Sequence, residues 1–513
     1  MTIHADFVKI LKNECPDAFT RTLPAQQAPD TVFIDGQVKL MKADEVKTWA
    51  VFLHVMFFKT LERCFSHGAR VVVLGFDDYT YVPTSKTMTQ VKRNKQVPAM
   101  KFAEGDSLPA YMPDDWGAAM RNRTFKVKVI HKILLETRAW FLDKQRQDAA
   151  WRARTLVLDF QRRPEVLFSP APAAPAAAPP CALKRKRGEE DAAAAAAATA
   201  DAATAAAATA DTADAGTADA ADAAAAAYTA GAALAARLPP PESAVWRGRG
   251  ECDIKAFFWM QCSRRLLVVS TDGDYIPLSM LQMLRAQGAP DPPCEVFVFR
   301  MLTRSGADDA PTAKRQCLPG GAAAAPRKPG RQYEFVHIAK LMTCITRLLP
   351  SEAQHPVEQF CALVALGGCD FALNLPRLGP KSLWKLRHRL AKLDLSRPPQ
   401  LLCAMSMLYW DTFVMKNTIP SGMVNSVAFF AELPEAEATQ HYASIMLRIK
   451  SIKTLSPRIA SALWDADRAR AHALNTEWTL AYWNLLQGVP DPHSRDFGYR
   501  RDAHGRTHFA CIT

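Results

Sequence analysis

Four apolar segments rich in β-branched residues stand out along the chain: VFIDG (Val32 to Gly36), RVVVLGFDD (Arg70 to Asp78), LLVVSTDGD (Leu266 to Asp274) and EVFVFRM (Glu295 to Met301). Continuous runs of this kind read as strands buried on both faces, as in a parallel sheet. Residues 43–67 and 276–287 carry helical spacing and read as crossovers. The pattern predicts an α/β fold, a mostly parallel central sheet flanked by helices. Beyond Pro350 the spacing turns helical to about Trp483, and Pro490 and Pro492 then open a polar tail.

Two stretches break the pattern. From about Ser169 to Ala244 the sequence is dominated by Ala, Pro, Thr and Asp, with too few large apolar side chains to offset the entropy of ordering, so a disordered insert is expected. Inside it Lys184, Arg185, Lys186 and Arg187 are consecutive, which reads as a nuclear-import signal, as a loose nucleic-acid tether or as a chance run of charge. A second flexible insert, Thr303 to Gly330, separates the strand ending at Met301 from QYEFVHI. The expected division is 1–168, the insert 169–244, 245–395, and a helical region with its tail over 396–513. In that last region Trp478, Tyr482 and Trp483 are expected to pack against the core.

Composition adds one functional hint. The net charge is +13, yet residues 188–236 carry eight acids and no Lys or Arg, so the remaining body is more basic than the whole. Such a body suits a polyanionic partner, although solubility alone would also explain it. Twelve cysteines lie scattered without a C-x-x-C pair, which argues against zinc and fits reduced thiols in a reducing compartment. No stretch reaches the ~20 unbroken apolar residues of a membrane span, and MTIHADFVKI does not read as a signal peptide. A soluble, intracellular protein without a membrane partner is expected.

The predicted strands end in acids. Asp35 closes the first, Asp77 the second, and Asp272 and Asp274 another, while Glu251 and Asp253 open a helix and Asp370 follows an apolar one. In a parallel α/β sheet, sites form in the crevice at the carboxyl ends of the strands. Any one of these acids could be a cap or a solvated end. Several converging on one crevice would repel each other unless cations neutralise them. A ligand set of oxygen alone suits Mg²⁺ or Mn²⁺, and therefore phosphoryl chemistry.

Taken in order, IDG (Ile34 to Gly36), FDDYTYVP (Phe76 to Pro83), GECD (Gly250 to Asp253), STDGDY (Ser270 to Tyr275) and LGGCDFALNLPRLGPKS (Leu366 to Ser382) resemble the motifs of the flap-endonuclease superfamily of structure-specific 5′ nucleases. The mixture with large inserts is most similar to the flap-endonuclease-like proteins of large DNA viruses. The resemblance covers residues 7 to about 395 and implies a PIN-like core with a basic arch and a helix–two-turn–helix region. It assigns Asp35, Asp77, Glu251 and Asp253 to one divalent ion and Asp272, Asp274 and Asp370 to a second, with Asp253 near both. The implied reaction is hydrolysis with two ions roughly 4 Å apart. The implied substrate is flap or branched DNA in replication, repair or recombination, met by a monomer in the nucleus or at a viral replication site. The segments KTMTQVKR and GECDIK also resemble Xrn-type 5′ exoribonucleases, so an RNA-directed nuclease remains an alternative, as does a non-catalytic nucleic-acid scaffold.

The resemblance also points to strand contacts. After Asp77 comes a basic stretch with Lys86, Lys92, Arg93, Lys95 and Lys101. In an arch, Lys86, Lys92 and Arg93 would hold the scissile phosphate, with Lys95 beside them and Tyr79 or Tyr81 stacking on a base. Lys381, Lys385, Arg389 and Lys392 form one stripe of the helix after Gly379-Pro380, and Leu383, Leu386, Leu390 and Leu393 another. Gly379 and this stripe resemble the family's duplex-binding segment, which holds a K⁺ ion; a merely solvated basic face is the plain alternative. Thr2 replaces the family's glycine after Met1, Asn374 and Arg377 replace glycines of the two-turn segment, and no Q-x-x-L-x-x-F-F sliding-clamp motif occurs in the tail.

Overall fold

The computed structural model describes residues 5–40, 46–78, 99–160, 164–168, 252–302 apart from 261 and 288–293, and 332–413 apart from 352, 354, 370, 371, 373, 374, 391 and 392. It also describes 433–484 apart from 453 and 454, and the short stretches 499–501 and 507–509. Both expected inserts, the basic cluster Lys184 to Arg187, and the N-terminal Met1-Thr2 lie outside the described residues.

Eight strands form one mixed sheet: β1 (Phe19–Thr20), β2 (Thr31–Asp35), β3 (Val71–Gly75), β4 (Thr155–Asp159), β5 (Glu165–Leu167), β6 (Arg265–Val269), β7 (Glu295–Leu302) and β8 (Gln332–His337). Their order is β1-β8-β7-β6-β2-β3-β4-β5. The five central strands, β7 to β4, are mutually parallel, and antiparallel β5, β8 and β1 close the two edges. The α/β architecture is thus as expected, and β2 pairs with strands from both the 1–168 and 245–395 segments. Sequence reading overlooked β4. The run TLVLD has the same signature as the others, and β4 is the outermost of the five parallel strands on the β3 side.

Alternation of side chains across the sheet explains why these runs have no polar face. Phe33, Val73 and Val157 point into one core with the helices Cys252–Met260, Tyr275–Ala286 and Pro356–Leu366. Val32, Ile34, Val72, Leu74, Leu156 and Leu158 point into the other. There they meet Trp49–Leu53, which continues through a π turn at His54–Phe58 into Lys59–Ser66, and the long helix Arg123–Gln147. The crossovers expected over 43–67 and 276–287 are therefore present.

The C-terminal helices pack on the first of these cores. Trp478 and Trp483 are buried, Gln282 Nε2 donates to the Trp483 carbonyl, and the fully buried His472 ring lies 3.3 Å from the Leu366 carbonyl. Packing of the two tryptophans is as expected; the Tyr482 side chain lies outside the described residues. One cysteine expectation needs correction. Cys15 and Cys344 are bonded, their Cα atoms 5.9 Å apart. The pairing of β1 with β8 brings these distant segments side by side, which spacing along the chain could not reveal. Among the described residues, no helix is long and apolar enough to cross a membrane.

Candidate active site

β2 is the pivot of the sheet. The chain passes outward from β2 through β3 to β4, then returns to lay β6 and β7 on the other side of β2. Strand order reverses at the β2/β6 boundary, and the crevice at the carboxyl ends of strands beside such a reversal is where open α/β sheets bind ligands. Asp35 ends β2, and the loop Ser270–Asp274 follows β6.

The two are joined by hydrogen bonds. Ser270 Oγ donates to Asp35 Oδ2 at 2.8 Å and accepts from the Asp272 N–H at 3.0 Å. Asp272 Oδ1 in turn accepts from the Asp274 N–H at 2.9 Å. The other oxygen of Asp35 accepts from the Gln37 N–H at 3.0 Å. From the segment just after β3, Asp77 Oδ1 accepts the Cys252 N–H at 2.9 Å, an anion set at the start of the helix Cys252–Met260, where the helix dipole favours it. Asp253 follows in that helix's first turn and is buried, as are Asp35, Asp77 and Asp274, while Asp272 is half-buried.

Two buried side chains lie within reach of several of these charges. Burial first, then the charges of Asp35, Asp77 and Asp253, push the Cys252 thiol well above its ordinary value. Burial first, then Asp35, Asp253 and Asp272 among its neighbours, push the Tyr275 hydroxyl up in the same way. That hydroxyl is fully buried and has no hydrogen-bond partner among the described residues. Close approach of the strand ends depends on small residues. A Cβ on Gly36 would enter the Phe76 ring, and one on Gly75 would enter the Phe33 ring and meet Cys252 Sγ at 3.0 Å.

No family model matches the sequence, and no curated protein matches it.

The donor set fits hard divalent cations. Asp35, Asp77, Asp253, Asp272 and Asp274 offer only carboxylate oxygen, and ligating carboxylates are commonly hydrogen-bonded as well, as Asp35, Asp77 and Asp272 are. Among the described residues no three His, Cys, Asp or Glu side chains are grouped tightly enough to count as a metal site. Glu251 and Asp370, two of the seven expected ligands, lie outside the described residues. So do Lys86, Lys92, Arg93, Lys95, Tyr79 and Tyr81, together with Lys392 and the Arg389 side chain.

Residues that motif reading did not single out surround the crevice. Ser270 links the two acidic segments. Arg300, on β7, is held by Glu334 Oε1 at 3.3 Å, and Lys12 meets the other Glu334 oxygen at 2.8 Å. Burial pushes the Arg300 guanidinium down while Glu334, then Asp272, hold it up. Lys255 is 1% exposed. Its Nζ donates to the carbonyls of Phe76 at 2.7 Å and Phe160 at 2.6 Å and stands 3.5 Å from Asp159 Oδ1. Trp259 Nε1 donates to Asp159 Oδ2 at 2.9 Å. Asp159 ends β4 as Asp35 ends β2, and it is satisfied from within the protein.

Away from the crevice, the helix Pro380–Leu390 is amphipathic as expected, with Lys381 and Lys385 exposed and Leu383, Leu386 and Leu390 buried. Gly379 is exposed and nothing lies within 4 Å of a Cβ built on it. Arg377, which stands where the resembling family has a glycine, adopts the left-handed backbone at φ +64°, a conformation that a non-glycine residue takes less readily. A groove of about 770 Å³ lined by Leu135, Arg138, Leu142, Arg146, Arg152 and Phe168 contains none of the acids.

Proposed function

We propose that the chain is a divalent-metal-dependent 5′ nuclease that hydrolyses phosphodiester bonds of flap or branched DNA in replication, repair or recombination. The observation that carries this reading is the hydrogen-bonded line Asp35–Ser270–Asp272–Asp274 at the point where strand order reverses, with Asp77 and Asp253 on adjoining elements. On this reading the fold is a PIN-like 5′-nuclease core. Asp35, Asp77, Glu251 and Asp253 would hold one Mg²⁺ or Mn²⁺, and Asp272, Asp274 and Asp370 the second. Bound there, the ions would supply an activated water and counter-charge for the leaving 3′ oxygen, giving a 5′-phosphate and a 3′-hydroxyl.

The chain's own residues orient this chemistry. Ser270 keeps Asp35 and the Asp272 loop in register, and the Cys252 amide fixes Asp77. The burial of Asp35, Asp77, Asp253 and Asp274 keeps water from screening their charge. On this reading Lys86, Lys92 and Arg93 would hold the scissile phosphate, with Lys95 beside them. The exposed Lys381 and Lys385, with the open backbone at Gly379, suit the phosphates of a duplex, and the turn before them suits a K⁺ ion.

The test is cleavage of end-labelled 5′-flap DNA and its RNA counterpart, in Mg²⁺ or in EDTA, by the full chain and by Asp272→Ala. DNA-flap cleavage that needs both the metal and Asp272 supports the reading. The Asp272→Ala rate should fall on the order of 10³-fold, the scale of losing a major transition-state charge contact. Cleavage of RNA alone would move the function to RNA turnover. Binding without cleavage of either would leave a scaffold.

A further inference from the structure

Tyr275 is the side chain whose chemistry the proposed site does not yet use. It opens the helix Tyr275–Ala286, directly after Asp272-Gly273-Asp274, and is fully buried. Its ring packs 6.5 Å from that of Phe257. Phe257 lies four residues after Asp253 on the helix Cys252–Met260, so the two share one face of that helix. Tyr275 therefore packs on the helix face that also carries Asp253, whose charge reaches its hydroxyl. The charges of Asp35, Asp253 and Asp272 all fall on its hydroxyl, yet this O–H donates to nothing among the described residues. A buried hydroxyl with no partner is costly and uncommon in a folded chain. A phenylalanine would fill the same space without that cost.

We propose that Tyr275 is a positioning residue of the acidic crevice, its hydroxyl donating to a carboxylate, Asp253 foremost, once a divalent cation draws the acids together. This rests on the nuclease reading above and deepens it. Tyr275 would not touch substrate; it would hold a ligating carboxylate in the orientation the cation requires, as hydrogen-bonded outer groups do in metal sites. The protein without metal would then carry an unsatisfied donor that the loaded protein satisfies. Replacement by Phe should accordingly move fold stability and metal affinity in opposite directions, which a purely structural tyrosine would not do.

The experiment compares full-length wild type with Tyr275→Phe, using Mg²⁺ alone as the probe. Thermal unfolding is measured in EDTA, and Mg²⁺ affinity by calorimetry. In EDTA the variant should melt at or above the wild-type temperature, while its Mg²⁺ affinity should be 10- to 100-fold weaker, the range for lost outer-shell partners. Equal Mg²⁺ affinity in the two proteins would overturn the proposal, whatever the melting temperatures. A variant less stable than wild type in EDTA would assign the hydroxyl to the fold and overturn it as well. Wild type that takes up no Mg²⁺ would instead sink the nuclease reading and the proposal with it.

Discussion

Asp35 and Asp159 end two strands of the same parallel layer, each closing a five-residue strand with three apolar residues before it, and each is almost wholly buried. Their surroundings differ. Asp159 is met by the Lys255 ammonium and the Trp259 indole, so its charge is satisfied by the protein itself. Asp35 is met by a hydroxyl and an amide and shares its crevice with Asp77, Asp253 and Asp272. One helix, Cys252–Met260, makes the difference. It sends Lys255 and Trp259 to the end of β4 and Asp253 to the crevice. The same helix thus satisfies one strand-end aspartate and sets a further carboxylate beside the other.

The contrast can be broken most severely at Lys255. Lys255→Met should cost about 3–5 kcal/mol in urea unfolding, because removing one partner of a buried pair leaves the other charge uncompensated. Adding Asp159→Asn should return part of that loss, a coupling that a double-mutant cycle would measure. Additive losses would mean that Lys255 acts through the Phe76 and Phe160 carbonyls alone.

A buried base is a second group whose charge state the fold dictates. Burial holds His472 at about 4, against an ordinary 6.5. The unfolded chain binds the extra proton first, so this contribution is full above pH 6.5 and is lost as pH falls toward 4. It amounts to about 3 kcal/mol at most. Unfolding at pH 7 and pH 4.5 should show the loss in wild type and a smaller one in His472→Gln. An equal loss in both would remove His472 from the account.

The smallest effect concerns the crevice itself. Gly36→Ala places a methyl inside the Phe76 ring and should cost about 1–3 kcal/mol, as overpacking does. It should also weaken metal binding, since Phe76 immediately precedes Asp77. A variant of native stability and native metal affinity would show that the strand ends have slack.

Much of this contrast could be read in advance. The apolar runs gave four of the five central strands, because strands buried on both faces write themselves as continuous β-branched sequence. Their terminal acids pointed to Asp35, Asp77, Asp272 and Asp274, whereas the left-handed backbone at Arg377 was not to be expected of an arginine. The strand Thr155–Asp159 carried the same signature and was passed over between the long helix Arg123–Gln147 and the low-complexity insert. Ser270, Lys255 and Arg300 were not legible for a different reason. Each acts through a partner far away in sequence, Asp35, Asp159 and Glu334 respectively, and only the strand order brings those partners together. The Cys15–Cys344 bond was hidden in the same way.

We propose that the acids beside β2 bind a divalent cation whereas Asp159 does not. Calorimetric titration of Mg²⁺ into metal-free wild type, Asp35→Asn and Asp159→Asn tests it most directly. The account predicts binding by wild type, at least tenfold weaker binding by Asp35→Asn, and wild-type affinity in folded Asp159→Asn. Undiminished Mg²⁺ affinity in Asp35→Asn would contradict it.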